Sequence, residues 1–193
     1  MIYKGFKRTM DFLISLVGVI LLLPLFIIIA ILIKLTSKGP IIFKQERIGK
    51  NGKVFKIYKF RSMIVGAEKE GVYETKKDKR VTKIGRFIRK TSIDELPQFF
   101  NIIKGDMSII GPRPTLTYHP WKYEEYTEEQ LKRFNVRPGV TGWAQVNGRK
   151  DVEWNKRIEL DVYYVDNISF KLDFKIFLKT IINVLKMKDN VNV

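Results

Sequence analysis

Two carboxylates, Asp94 and Glu95, stand side by side just downstream of a basic run, Arg80, Lys83, Arg86, Arg89 and Lys90. A carboxylate can attack phosphorus as a covalent nucleophile, and a second can hold Mg2+ against phosphate oxygens. Ringed by arginines, such a pair would suit a diphosphate. The same residues admit a purely structural reading. In Thr91-Ser92-Ile93-Asp94-Glu95-Leu96-Pro97, Ser92 and Glu95 have capping-box spacing, and acidic groups favour helix N-termini. Arg113 lies between Pro112 and Pro114, which fix the backbone and present the guanidinium with little entropy left to lose, as a bidentate phosphate clamp requires. A merely rigid loop is the alternative. Lys59 and Arg61 alternate with Tyr58 and Phe60, so an extended segment there would have one basic face. Arg137 and Arg149 bracket a loop with Trp143, Gln145 and Asn147, whose aromatic and amide groups could take a base or a sugar. Arg137, ahead of Pro138, fits an ordinary surface residue equally well. His119, between Tyr118 and Pro120, reads as a structural loop residue rather than a base.

Composition narrows the chemistry further. The 193 residues contain no cysteine and one histidine, so thiolate nucleophiles, disulfides and His- or Cys-built metal clusters are excluded. What remains is carboxylates, cationic side chains and a hard metal such as Mg2+, with Mn2+ as the alternative. Thirty-six Lys and Arg against 20 Asp and Glu give a formal charge of +16, which favours an anionic partner.

The elements that must position these groups begin with a charge-free run, Phe12 to Ile33, of about 22 residues, long enough to enter a bilayer. Pro24 lies near its middle, and cations flank both ends: Lys4, Lys7 and Arg8 before, Lys34 and Lys38 after. Both flanks therefore look cytoplasmic, which predicts a Pro-broken re-entrant helix rather than a kinked spanning one. Residues 41–63 predict a short β-hairpin around Gly49-Lys50-Asn51-Gly52, and residues 65–80 a mobile surface loop. Residues 82–104 have helical period with a break near Thr91-Ser92. Thr127 and Gln130 fit a capping box for a helix reaching Asn135, and residues 151–165 read as helical. The tail, 169–188, is amphipathic, with Lys171, Lys175 and Lys179 against apolar neighbours; it suits an anionic membrane surface or a core-facing position. The fold class expected is α+β, predominantly helical: a membrane element over 1–38 and one small cytoplasmic domain over 39–193 with interfacial amphipathic helices.

Read in order, the Pro-broken apolar N-terminus, IYKFRSM, TSIDELPQ, NIIKGDMSIIGPRP, RPGVTGWAQVNGR and ELDVYYVDN resemble the bacterial sugar transferases, the small monotopic phosphoglycosyl transferases. The resemblance covers nearly the whole chain. It implies Mg2+-dependent transfer of a sugar-1-phosphate from a UDP-sugar to polyprenyl phosphate. UMP would leave, through a covalent phosphosugar on Asp94, at the cytoplasmic face of the bacterial inner membrane. Glu95 would help bind the metal, and Arg113, Lys59, Arg89 and Arg149 would match phosphate-binding or structuring positions. Arg61, Arg137 and Gln145 are further candidate contacts. Leu23 stands where the family often has Ser before the proline. A lipid-docking module would explain the charge and the insert but not the carboxylate pair. Nucleic-acid binding finds no zinc-finger, RNP or helix-turn-helix signature. Homodimerisation rests on no particular residue.

Overall fold

The computed structural model of the chain describes residues 2–71, 78–147 and 153–185. Arg149 lies outside these residues. The first element, α1 (Ile2–Thr36), is a single helix of 35 residues that runs through Pro24. The helical assignment has no gap at the proline, so the break expected there does not appear as an interruption. One lost donor is tolerated where packing holds the ladder on both sides. Downstream of Pro24, Phe26, Ile29 and Ile33 are buried against Phe60 and Ile88.

Both ends of α1 are tied to the same body. Near the N-terminus, Tyr3 Oη and Lys7 Nζ reach Asp173 at 2.5 and 2.8 Å. Arg8 donates to the carbonyls of Ile102 and Ile103, and Asp11 accepts from Ser108 Oγ and the Ile109 amide. At the C-terminus, Arg61 donates to the Ser37 and Lys38 carbonyls at 2.8 and 2.7 Å, closing the helix end as a C-cap cation does. Between these anchors the outer face is bare: Leu13, Val17, Ile20, Leu21, Ile27 and Ile31 are exposed. Gly5–Thr36 is long and apolar enough to cross a membrane, its most apolar 18 residues having a mean hydropathy of 3.4.

Strands β1 (Ile42–Ile48) and β2 (Val54–Phe60) form the expected antiparallel hairpin, with Phe43 opposite Lys59 and Arg47 opposite Phe55. Asn51 takes a positive φ of 55° in the turn, a conformation asparagine tolerates better than most residues. Next come α2 (Lys83–Lys90), capped by Thr82 Oγ1 on the Gly85 amide, and α3 (Gln98–Lys104). Buried Asn101 stitches α3 to β2: its side chain accepts from the Tyr58 amide and donates to the Lys56 carbonyl. A second sheet, unforeseen, pairs β3 (Ser108–Ile110) in parallel with β4 (Gly139–Thr141). Strands of three residues are too short to show a period-two pattern.

The helix α4 (Glu128–Leu131) starts with the predicted Thr127–Gln130 capping box. After α5 (Trp143–Asn147), α6 (Trp154–Asp166) packs Ile158 and Val162 into a cluster with Ile48, Tyr126 and Phe134. The last helix, α7 (Phe170–Leu185), buries Asp173 and Ile176 and leaves Phe170, Phe174, Phe177, Ile181 and Leu185 exposed. Lys175 and Lys179 lie over the Trp143 ring. Both readings of this helix are met in part: Leu172 and Ile176 pack into the core, while the other apolar side chains face outward. The result is the α+β, mainly helical architecture expected from sequence.

Candidate active site

Asp94 and Glu95 occupy a single turn of 3-10 helix, Ile93–Glu95, between α2 and α3. Ser92 precedes it at φ 58°, a left-handed conformation unusual for a side-chain-bearing residue, and its hydroxyl makes no cap. The capping-box reading of Ser92 and Glu95 is thus set aside. A serine in the left-handed region turns the chain away from α2 instead of starting a helix. Pro97 is the N-cap of α3, whose N-terminus lies just beyond the pair.

Three cations converge on the dyad from three elements. From β2, Lys59 Nζ contacts Glu95 Oε1 at 2.6 Å. From the Gly111-Pro112-Arg113-Pro114 loop, Arg113 Nη2 lies 3.5 Å from the same oxygen, with its side chain half exposed. From α2, Arg89 acts electrostatically on Asp94. Burial pushes the Asp94 carboxyl up to about 6, helped by the charge of Glu95 and opposed by Lys59, Arg89 and Arg113. Burial acts on Glu95 in the same sense, but Lys59 and Arg113 outweigh it and hold that carboxyl down, at about 2. One member is therefore firmly ionised and committed to cations, while the other is less acidic and less engaged.

Asp94, Lys59 and Arg89 open on a cleft of about 580 Å3, also lined by Phe43, Gln45, Arg47, Ile64, Val65 and Tyr118. That volume is within the range of small-molecule sites. Residues 65–80 are in part the wall of this cleft. Arg80 pairs with Asp78 at 2.7 Å and donates to the carbonyls of Ala67 and Gly71, so the described parts of that segment are clasped rather than loose.

Arg47 was not singled out in the sequence. Its Nη1 donates to the Pro114 carbonyl at 3.2 Å and its Nη2 to Gln45 Oε1, while its buried Nε has no partner. Burial and the Arg113 charge lower its pKa to about 10, against the pull of Glu95. The hairpin register carried the signal: Arg47 falls on the strand face shared with Phe43 and Lys59. Arg133 supports the same loop, donating to the Arg113 carbonyl at 3.0 Å while paired with buried Asp161 at 2.7 Å.

Other predicted contacts lie elsewhere. Arg61 touches the cleft wall, but its guanidinium is engaged at the end of α1. Arg137 donates to the Gly105 carbonyl at 2.7 Å and lines a separate cleft. Gln145 keeps a buried amide without a partner and does not line the Asp94 cleft. Arg61 and Arg137 are drawn into backbone closure, which spacing cannot reveal. The His119 ring packs edge-on against Trp154 at 5.3 Å, as a structural residue does.

Among the described residues no group of three or more His, Asp and Glu side chains converges. Mg2+ needs no such cage, since it keeps waters and takes one or two carboxylates plus substrate phosphates. The Asp94–Glu95 pair fits that donor set.

The family profile for bacterial sugar transferases matches residues 2–187. The UDP-glucose:undecaprenyl-phosphate glucose-1-phosphate transferase of Klebsiella pneumoniae is 45% identical over 182 residues, 91% of this chain and 39% of that protein. The UDP-N-acetylgalactosamine-undecaprenyl-phosphate N-acetylgalactosaminephosphotransferase of Aeromonas hydrophila is 45% identical over 188 residues, 95% of this chain and 44% of its own length. The chain thus spans about two fifths of each of these relatives. The uncharacterized sugar transferase EpsL of Bacillus subtilis is 51% identical over 154 residues, 79% of this chain and 74% of that one.

Proposed function

The chain belongs to the bacterial sugar transferase family, and from that footing we propose that it moves a sugar-1-phosphate from a UDP-sugar to polyprenyl phosphate. The observation that carries the proposal is the unequal dyad: Asp94 is raised and faces a cleft, beside a Glu95 held by Lys59 and Arg113. The two full-name relatives differ in their sugar, so the proposal covers UDP-sugars as a class.

The ionised Asp94 carboxylate attacks the sugar-linked phosphorus, an acyl-phosphate bond forms, and the bond to the UMP oxygen breaks with its electron pair leaving on UMP. Polyprenyl phosphate then attacks the same phosphorus through its own oxygen, and the Asp94 carboxylate departs unchanged. Arg113 and Arg89, beside the dyad, would offset charge growing on the equatorial oxygens, an electrostatic role that is strongest with water excluded. Lys59 and Arg113 fix Glu95, and Glu95 with Asp94 would hold Mg2+, which supplies charge neutralisation on the diphosphate when bound. The nucleophile works only as the anion, so turnover should fall about tenfold per pH unit below about 6.

The exposed apolar face of α1, tied to the domain at both ends, supports a helix that lies in one leaflet and does not cross the bilayer. The site would then sit at the cytoplasmic face, where a soluble donor and a lipid acceptor meet. The test is UMP release by detergent-solubilised protein given UDP-sugars, polyprenyl phosphate and Mg2+. Release that needs both substrates and vanishes in Asp94→Asn supports the proposal; full turnover in that variant overturns the nucleophile.

A further inference from the structure

A second basic cleft lies where the first turns of α1 meet α6 and the turn after α4, apart from the dyad. It has a volume of about 70 Å3, enough for one phosphate group, and Lys7, Arg8, Lys50 and Arg137 line it with Asp11, Ser108 and Tyr164. Asp11 is occupied by Ser108 and the Ile109 amide, and Lys7 is paired with Asp173. Arg8 and Arg137 both bond to carbonyls at the C-terminal end of α3, those of Ile102, Ile103 and Gly105. Capping explains only part of their donor capacity. A guanidinium has five N–H groups, and these two are close enough to repel each other. Two arginines and two lysines against two engaged aspartates leave the cleft with surplus positive charge.

Its surroundings say what kind of anion would lodge there. The Tyr3 and Lys7 contacts to Asp173 set the start of α1 beside the start of α7. Phe6 and Met10 are exposed on the neighbouring face of α1, and Phe170 and Phe174 stack exposed on α7. A phosphate held by the arginines would therefore have uncovered apolar side chains next to it, the two-part surface that a phospholipid presents in complement. We propose that this cleft is a headgroup site for an anionic phospholipid, seating the N-terminal end of α1 at the bilayer surface. It takes no part in transfer chemistry and stands whether or not Asp94 is the nucleophile.

The test is flotation of the full chain with phosphatidylcholine vesicles, with and without phosphatidylglycerol. Lys50 is exposed and has no described bond to lose, so Lys50→Glu should fold normally; Arg137→Gln is the second variant, checked by its melting temperature. Lys156→Glu makes the same charge change on α6 outside the cleft lining. The proposal expects each cleft variant to lose about fivefold or more of the preference for phosphatidylglycerol, at roughly 1 kcal/mol per cation, and Lys156→Glu to lose much less. Equal losses in Lys50→Glu and Lys156→Glu, with about half that loss in Arg137→Gln, would mean diffuse charge attraction and overturn the site. So would displacement of the wild-type preference by millimolar inorganic phosphate, which would assign the cleft to free phosphate. No binding to either vesicle would overturn the membrane seating itself.

Discussion

Asp94 and Glu95 are nearly the same side chain held in opposite electrostatic settings. Glu95 sits 2.6 Å from Lys59, whereas Asp94 is half-buried with less direct compensation. The signs for stability follow. The folded pKa of Asp94 lies above its unfolded value, so its ionisation penalises the folded state at neutral pH. Asp94→Asn should raise the melting temperature by roughly 2–4 °C at pH 7.5, and the gain should vanish below about pH 4, where the carboxyl is protonated folded or unfolded. Glu95 behaves in reverse: its contribution is full above its unfolded pKa and is lost as pH falls toward about 2. Glu95→Gln strands Lys59 and should cost about 2 kcal/mol at neutral pH, between an exposed and a buried pair. Denaturant unfolding at several pH values checks both signs; a destabilised Asp94→Asn at pH 7.5 would contradict this account of the dyad.

The elements matter through the loop that carries Arg113, which two arginines hold by successive carbonyls. Arg47 bonds the Pro114 carbonyl, and Arg133, set by Asp161, bonds that of Arg113. Asp161→Asn weakens the grip on Arg133 and, if Arg113 positions phosphate without reacting as proposed, should raise KM for the UDP-sugar several-fold more than it lowers kcat. An unchanged KM would put Arg113 outside the donor site. This support shows how far the sequence was legible. Tyr58-Lys59-Phe60, the Gly49–Gly52 turn and the Thr127 capping box are local patterns, and each formed as read. Arg47, Asn101, Arg133 and Asp161 act across long separations, and nothing near them in the chain marks their partners. The same limit explains Arg61 and Arg137, whose charge suggested a contact at the dyad and whose guanidiniums close backbone ends away from it. Pro24 changes one backbone bond, and packing around Phe26 and Ile29 lets the helix continue through it.

For the whole molecule, α1 and α7 turn exposed apolar faces outward while the polar contacts of α1 run to one domain at both of its ends. A helix spanning the bilayer would place those ends in different aqueous phases. The chain has no cysteine, so single replacements at Gly5 and Lys38, both exposed, report sidedness cleanly. Both should react with an impermeant thiol reagent in inverted vesicles and neither in intact spheroplasts; reaction from opposite sides would establish a spanning helix. On the proposed function, a molecule seated this way would bring a soluble diphosphate donor and a lipid acceptor to one carboxylate in two successive steps. The most direct measurement of that claim is the intact mass of the purified protein after incubation with Mg2+ and a UDP-sugar, without polyprenyl phosphate. The account predicts a gain of one phosphosugar, absent in Asp94→Asn and discharged when the lipid is added. UMP release on adding lipid, with no adduct ever formed on the wild-type protein, would contradict it and leave a direct single-step transfer.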